Sequence, residues 1–114
     1  MASPIKVVKG GTLIPDYGNE GRSDDEKIQV TYRFLSFAEQ QELLDPSKLG
    51  TSMAYESKVI AKMITKIENL EVQEGNEVRA ITDGDALVSE PGLDVLAKEL
   101  WLTLRTMSAV DKKK

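Results

Sequence analysis

The sequence predicts an α+β fold: a small antiparallel sheet, or hairpins, packed with three to four α-helices. Residues 28–34 alternate between apolar and polar side chains, which is typical of a strand with one covered face. Two later segments, 52–68 and 92–107, repeat their apolar residues at the three- and four-residue spacings of amphipathic helices. A chain of 114 residues suits one domain with a modest core.

The first strand should turn directly into a helix. The apolar face of the strand consists of Ile28, Val30, Tyr32 and Phe34. Ser36 follows as a helix N-cap, and Glu39 three residues later completes the pattern of a capping box. The helix should begin at Phe37 and end before Pro46, because a proline disfavours the helical conformation in the residue that precedes it.

The central segment predicts a helix from Ser52 to Glu68, followed by a hairpin. The apolar stripe of this helix comprises Tyr55, Val59, Ile60, Met63, Ile64 and Ile67. Three lysines spaced four residues apart, Lys58, Lys62 and Lys66, lie on a neighbouring face. The next residues, 69–81, read as two short strands joined by a loop that contains Gly75.

The last segment predicts a short turn and a terminal helix. Thr82 or Asp83 could cap the turn, and Ser89 is predicted to cap the terminal helix with Pro91 in its first turn. The stripe of this helix comprises Leu93, Leu96, Ala97, Leu100, Leu104 and Met107, flanked by Trp101.

Composition divides the chain into three parts. Residues 1–26 are predicted to form a flexible arm or loop, in which Gly10 and Gly11 make a bend between short strands. Residues 27–110 form a single α+β domain, and residues 111–114 a charged tail.

Composition also argues against several classes of function. The chain has no histidine and no cysteine, so the commonest general base and the thiolate zinc sites are missing. The net charge of −4 provides no overall attraction to nucleic acid or anionic lipid, and no apolar run reaches the length of a membrane span. We therefore expect a cytoplasmic, non-enzymatic protein with no cofactor, no metal, and neither nucleic acid nor a membrane as partner.

Acidic residues concentrate in one part of the chain. Residues 68–99 contain nine acids against two bases, a local balance of −7. Asp83 and Asp85 suggest a calcium loop, but the EF-hand pattern places Val88 and Asp94 where Gly and Glu are required. An enzyme that binds a divalent ion through Asp83, Asp85 and Glu90 stays open as a minor alternative.

Apolar helix surface is the remaining candidate for function. Trp101 lies among leucines, so the terminal helix is apolar on most sides and is either central to the fold or shared with a partner. The candidate partner-binding residues are Val59, Met63, Ile67, Leu100, Trp101 and Leu104.

Residues 27–110 resemble the tail assembly chaperones of long-tailed bacteriophages and prophages. The resemblance rests on the strand and helix of "VTYRFLSFAEQQELL", the acidic turn "TDGDALVSEPG" and the helix "LDVLAKELWLTL". It implies a non-enzymatic chaperone in the bacterial host cytoplasm that binds the tape-measure protein, helps recruit tail-tube protein and forms a homo-oligomer.

Other functions stay open at this point. The chain could be a structural tail-completion or head–tail joining protein, which would remain in the virion. It could also be a regulatory binding module of antitoxin type. The residues do not identify the client or the number of subunits.

Overall fold

The computed structural model describes residues 7–43 and 52–107. The expectations for Ile5, for Leu44 to Pro46 and for residues 108–114 lie outside the described residues. The elements are β1 (Gly10–Leu13), β2 (Gln29–Arg33), α1 (Phe37–Leu43), α2 (Ser52–Met63), β3 (Ile64–Glu68), β4 (Glu71–Glu74), β5 (Glu77–Ala80), α3 (Gly84–Ser89) and α4 (Asp94–Leu104). The fold is α+β, as the sequence predicts.

The main sheet is antiparallel and has the strand order β1–β2–β3. Gly10 and Gly11 are predicted to form a bend between two short strands, and this prediction is wrong. Gly10 pairs with Arg33 and Leu13 pairs with Val30, so the glycines lie inside a strand. A Cβ atom on Gly10 would collide with the carbonyl oxygen of Tyr32, so this close approach requires glycine.

The junction between β2 and α1 confirms the predicted capping box. The Ser36 hydroxyl accepts a hydrogen bond from the Glu39 amide at 3.1 Å, and the Glu39 carboxylate accepts one from the Ser36 amide at 3.0 Å. Glu39 also accepts two hydrogen bonds from the Arg33 guanidinium at 2.7 and 3.1 Å. The capping residue is therefore tied to the preceding strand, which fixes the direction of α1 relative to the sheet.

The predicted helix from Ser52 to Glu68 is wrong in its last third. α2 ends at Met63, and Ile64 begins β3 with no intervening loop. Ile64 pairs with Tyr32 but Lys66 pairs with Thr31, so Thr65 is an extra residue in the ladder, a β-bulge. The bulge lets Ile64 and Ile67 both face the core although three positions separate them, and that spacing imitates a helix.

The core lies between one face of the sheet and the helices α2, α3 and α4. Its buried apolar residues are Ile28, Val30, Tyr32, Val59, Ile60, Met63, Ile64, Ile67, Leu70, Ile81, Leu87, Leu93, Leu96, Leu100 and Leu104. Of the apolar face predicted for this strand, Ile28, Val30 and Tyr32 are buried, which confirms the prediction for them. Phe34 is half-buried and contacts Tyr32 edge-on, with the ring centroids 5.5 Å apart.

β4 and β5 form the predicted hairpin, closed by Gly75 and Asn76. Asn69 separates the hairpin from β3, and its φ of 64° gives the chain a left-handed kink. Backbone hydrogen bonds from Ile81 to Leu70 and from Ile67 to Thr82 continue the ladder to β3. Every residue of β5 is exposed, while Val72 of β4 packs against the core.

The two last helices start differently from each other. Asp83 caps α3 as expected, because its carboxylate accepts a hydrogen bond from the Ala86 amide at 2.8 Å. Ser89 was expected to cap the terminal helix, and this is wrong: it is the last residue of α3. α4 begins only at Asp94, after Gly92 turns the chain with a φ of 93°, and it has no side-chain cap.

The loop between β1 and β2 is attached to the body by side chains. Asn19 is buried; its amide nitrogen donates to the carbonyl oxygens of Pro15 and Ile28, and its amide oxygen accepts from the Ile28 amide at 2.7 Å. The Glu99 carboxylate on α4 accepts hydrogen bonds from the amides of Asp16 and Tyr17. The loop therefore belongs to the packed part of the molecule.

Candidate partner-binding cleft

An open cleft of about 350 Å³ lies between α2, the α3–α4 connection and α4. Its lining is mostly apolar and includes Ile60, Leu87, Val88, Pro91, Ala97 and Trp101. Ligand-binding pockets usually have volumes from about 300 Å³ upwards, with apolar walls and a few polar groups. The cleft can therefore accept one or two apolar side chains of a partner.

The position of the cleft follows from how α3 packs on α2. Gly84, the first residue of α3, is buried against the backbone of Ile60 and Ala61. This close contact brings Leu87 into the core beside α2 and ends α3 near the start of α4. On α4 the leucines at 96, 100 and 104 face the core, so the neighbouring positions of Ala97 and Trp101 form a wall of the cleft.

Trp101 is half-buried and carries an unsatisfied donor. Its ring contacts Tyr55 of α2 edge-on, with the ring centroids 6.3 Å apart. Its Nε1 atom is buried, and no hydrogen-bond acceptor for it is found among the described residues. Buried indole N–H groups usually find an acceptor. The indole N–H is therefore a buried donor without a partner in the described part of the chain, while the exposed part of the ring forms a wall of the cleft.

Charged side chains surround the cleft. Lys98 of α4 forms an ion pair with Glu56 of α2 at 3.5 Å, which links the two helices. One guanidinium nitrogen of Arg79 lies 2.9 and 3.0 Å from the two carboxylate oxygens of Glu90, whose side chain is only 15% exposed. Asp94 also lines the cleft and has no ion-pair partner among the described residues. The charges leave the centre of the cleft apolar.

Five of the six candidate partner-binding residues lie in the core, which corrects the expectation that they form a binding surface. These five are Val59, Met63, Ile67, Leu100 and Leu104, and each is buried by the sheet and the other helices. A buried side chain cannot contact a partner while the chain stays folded. Trp101 alone is half-buried, and it alone of the six lines the cleft.

A second apolar surface lies on the outer face of α4. Val95 is 61% exposed and Leu102 is 44% exposed. They are seven positions apart, opposite the stripe of Leu96 and Leu100, so they share one face of the helix. The near-complete apolar circumference of the terminal helix is the sequence signal for this surface.

The described residues also bear on the minor alternative of a divalent-ion enzyme. They contain no group of three or more Asp and Glu side chains arranged to hold a metal ion. Asp83 instead caps α3, and Glu90 pairs with Arg79. Within the same residues, no helix combines the length and apolar character needed to cross a membrane.

Hydrogen bonds at the start of α1 lower the pKa of the Glu39 carboxylate. Its pKa is lowered to about 2, chiefly by the hydrogen bonds from Arg33 and then by the hydrogen bond from the Ser36 amide. This acid lies at the start of α1, where it serves the capping box, and it does not line the cleft.

Comparisons with protein-family models, with curated proteins and with solved structures found no match to this chain.

Proposed function

We propose that the chain is a non-enzymatic phage tail assembly chaperone whose client inserts apolar side chains into the cleft beside Trp101. The observation that carries this proposal is an open, apolar cleft with a half-buried tryptophan in its wall. The resemblance of the sequence to tail assembly chaperones supplies the client: the tape-measure protein, with tail-tube protein recruited afterwards, in the bacterial host cytoplasm.

The cleft has the properties that reversible binding of a helix needs. An amphipathic helix binds a groove by placing apolar residues at helical spacing into it, within a polar rim. Tryptophan is enriched among the residues that dominate binding energy, because it offers a large apolar area and a polar tip. Trp101 contributes the apolar area, since its ring lines the cleft.

Self-association is the second part of the proposal. The buried leucines of α4 are not available to another copy, so the surface for a homo-oligomer moves to its exposed face, at Val95 and Leu102. This face points away from the stripe that packs in the core, so self-association and client binding can use separate surfaces.

The first test is genetic and biochemical. The proposal requires a long coiled-coil reading frame beside the gene for this chain, and its product should copurify with the chain when both are expressed together. Absence of such a reading frame, or failure to copurify, refutes the proposal. Mass spectrometry of purified particles adds a second criterion: a chaperone leaves the assembled tail, so finding the chain there would favour the structural alternative.

The second test uses cleft variants. Ala97→Leu adds apolar volume inside the cleft without removing any core contact, so we expect the folded variant to lose the client. Trp101→Phe removes the buried unsatisfied donor, so it should fold at least as stably. Its smaller ring offers less apolar area to the cleft, so it should bind the client more weakly. Ala38→Leu makes the same substitution as Ala97→Leu at an exposed position of α1, outside the cleft, so it is the matched control and should retain the client. Unchanged binding by Ala97→Leu would show that the client binds elsewhere.

A further inference from the structure

We propose that the segment that fills the cleft carries a lysine or arginine next to its apolar anchor. This inference rests on the proposed function, because it specifies the chemistry of the partner at the same cleft. The partner is thus a basic amphipathic helix, and an acidic helix with the same apolar face should be discriminated against.

The rim of the cleft provides the first argument. Three carboxylates line it, those of Glu56, Glu90 and Asp94, against the single ammonium group of Lys98. Lys98 is paired with Glu56, and Glu90 is paired with Arg79. Asp94 has no ion-pair partner among the described residues, so it is the carboxylate available to a cation on the partner. Its position in the first turn of α4 places it at the edge of the cleft.

The acidic surface continues beyond the rim. A neighbouring groove of about 540 Å³ is lined by Glu71 of the hairpin, by Arg22 and by the connection of Glu90 to Gly92, which also lines the cleft. Further along the hairpin, Glu74 and Glu77 lie opposite each other in the ladder and both are exposed, and Arg79 lies 3.7 Å from Glu74. A partner helix that extends from the cleft toward the hairpin therefore meets more carboxylates than guanidinium groups along its path.

The lysines of α2 do not neutralise the acidic rim of the cleft. Lys58 and Lys62 line a separate groove together with Asp85 and Leu43. The charge of Lys62 acts on Glu39 of α1, where it helps to lower the pKa of that carboxylate. The positive side chains of α2 thus lie toward α1, and the cleft keeps an acidic rim. Complementary charges of this kind favour one class of partner over another more than they add affinity.

The experiment uses the only tryptophan of the chain, Trp101, as a reporter that lies in the site itself. Two helical peptides of about 18 residues, without tryptophan, share one apolar face and carry either lysine or glutamate at the positions beside it. Each is titrated into the full chain at low and at high salt while Trp101 fluorescence is followed. We expect the lysine peptide to bind at least about five-fold more tightly at low salt, and this preference to shrink at 0.5 M salt because of screening.

A matched pair of variants locates the effect. Asp94→Asn removes the free carboxylate of the rim, and Asp85→Asn removes the same charge from the first turn of α3, which lines the other groove. We expect Asp94→Asn to weaken binding of the lysine peptide by about two- to five-fold, the range of an exposed ion pair, and Asp85→Asn to leave it unchanged.

The outcomes separate the two proposals. Equal affinity for the two peptides, or tighter binding of the glutamate peptide, would overturn the preference for a basic partner and leave client binding at the cleft intact. An equal loss of affinity for the lysine peptide in Asp94→Asn and Asp85→Asn would also overturn the preference for a basic partner, since the affinity would then depend on net charge only. If neither peptide changes the fluorescence of Trp101, the cleft does not bind apolar helices and the proposed function itself fails.

Discussion

Replacing Gly84 with alanine should favour the helical conformation of α3 but crowd its contact with α2. Gly84 is the first residue of α3 and is buried against α2. An added Cβ would lie 2.7 Å from the carbonyl oxygens of Ile60 and Ala61 and 2.9 Å from the Cα of Ala61. These are backbone atoms inside a helix, so they cannot rotate out of the way as the end of a side chain could.

The magnitude follows from comparing the two effects. Alanine is favoured over glycine within a helix by about 0.5–1 kcal/mol. Overpacking of a core costs about 1–3 kcal/mol, and contact with rigid backbone belongs at the upper end of that range. We therefore expect Gly84→Ala to lower the free energy of unfolding by about 1–2 kcal/mol, which corresponds to a drop in Tm of roughly 4–15 °C for a domain of this size.

Urea unfolding, followed by circular dichroism, measures the effect. Asp85→Ala is the matched control, because Asp85 is the next residue of the same helix and is exposed; its free energy of unfolding should change by less than about 0.5 kcal/mol. A Gly84→Ala variant as stable as the parent chain, or more stable, would show that α2 and α3 are not in the close contact described.

Three further predictions concern other parts of the fold. Leu100→Ala should lower the free energy of unfolding, measured in urea, by about 2–5 kcal/mol. Leu102→Ala, on the exposed face of the same helix, should lower it by less than about 0.5 kcal/mol. Similar losses in the two variants would contradict the assignment of the buried and exposed faces. The lowered pKa of Glu39 implies stabilisation that is complete above its ordinary pKa of 4.5 and disappears as the pH falls toward about 2. The difference in the free energy of unfolding between Glu39→Gln and the parent chain should therefore shrink as the pH falls from 4.5 to about 2. A difference that stays constant over this range would show that ionisation of Glu39 does not stabilise the fold. Asn19→Ala should lower the free energy of unfolding by about 2–4 kcal/mol, because it removes the hydrogen bonds from Asn19 to the amide and carbonyl groups of Ile28. Hydrogen exchange of the Ile28 amide should then become faster, and an unchanged exchange rate would refute the prediction.

Local signals in the sequence predicted the local structure well. The capping box of Ser36 and Glu39 depends on residues three positions apart, and both of its hydrogen bonds are present. The cap at Asp83 and the hairpin around Gly75 are likewise determined by neighbouring residues. In each case the partner groups lie within a few residues, so no knowledge of the tertiary structure was needed.

Features that depend on distant contacts were missed. The spacing of Ile64 and Ile67 looks helical only if the bulge at Thr65 is unknown, and the bulge exists because β3 pairs with β2 more than 30 residues away. Similarly, Gly10 reads as a turn residue until the close approach of Tyr32 is known. Periodicity in one segment cannot report which strand will lie beside it.

The same limit applies to the cleft. An apolar stripe on a helix shows that the helix buries a face, but it does not show whether the covering surface belongs to the chain or to a partner. Leu100 and Leu104 are covered by the chain's own core, while Trp101, one position from the stripe, lines the cleft. That distinction required the arrangement of α2, α3 and α4 in space.

The direct connection of Met63 to Ile64 has a mechanical consequence for the cleft. With no loop between them, the orientation of α2 is coupled to that of the sheet, and this wall of the cleft behaves as a fixed support. α4 instead follows a short connection that ends at Gly92, where the backbone turns with a φ of 93°. The buried leucines at 96, 100 and 104 nevertheless hold α4 in the core, and Lys98 links it to Glu56 of α2. Both walls are therefore fixed, and the width of the cleft selects partner side chains by size.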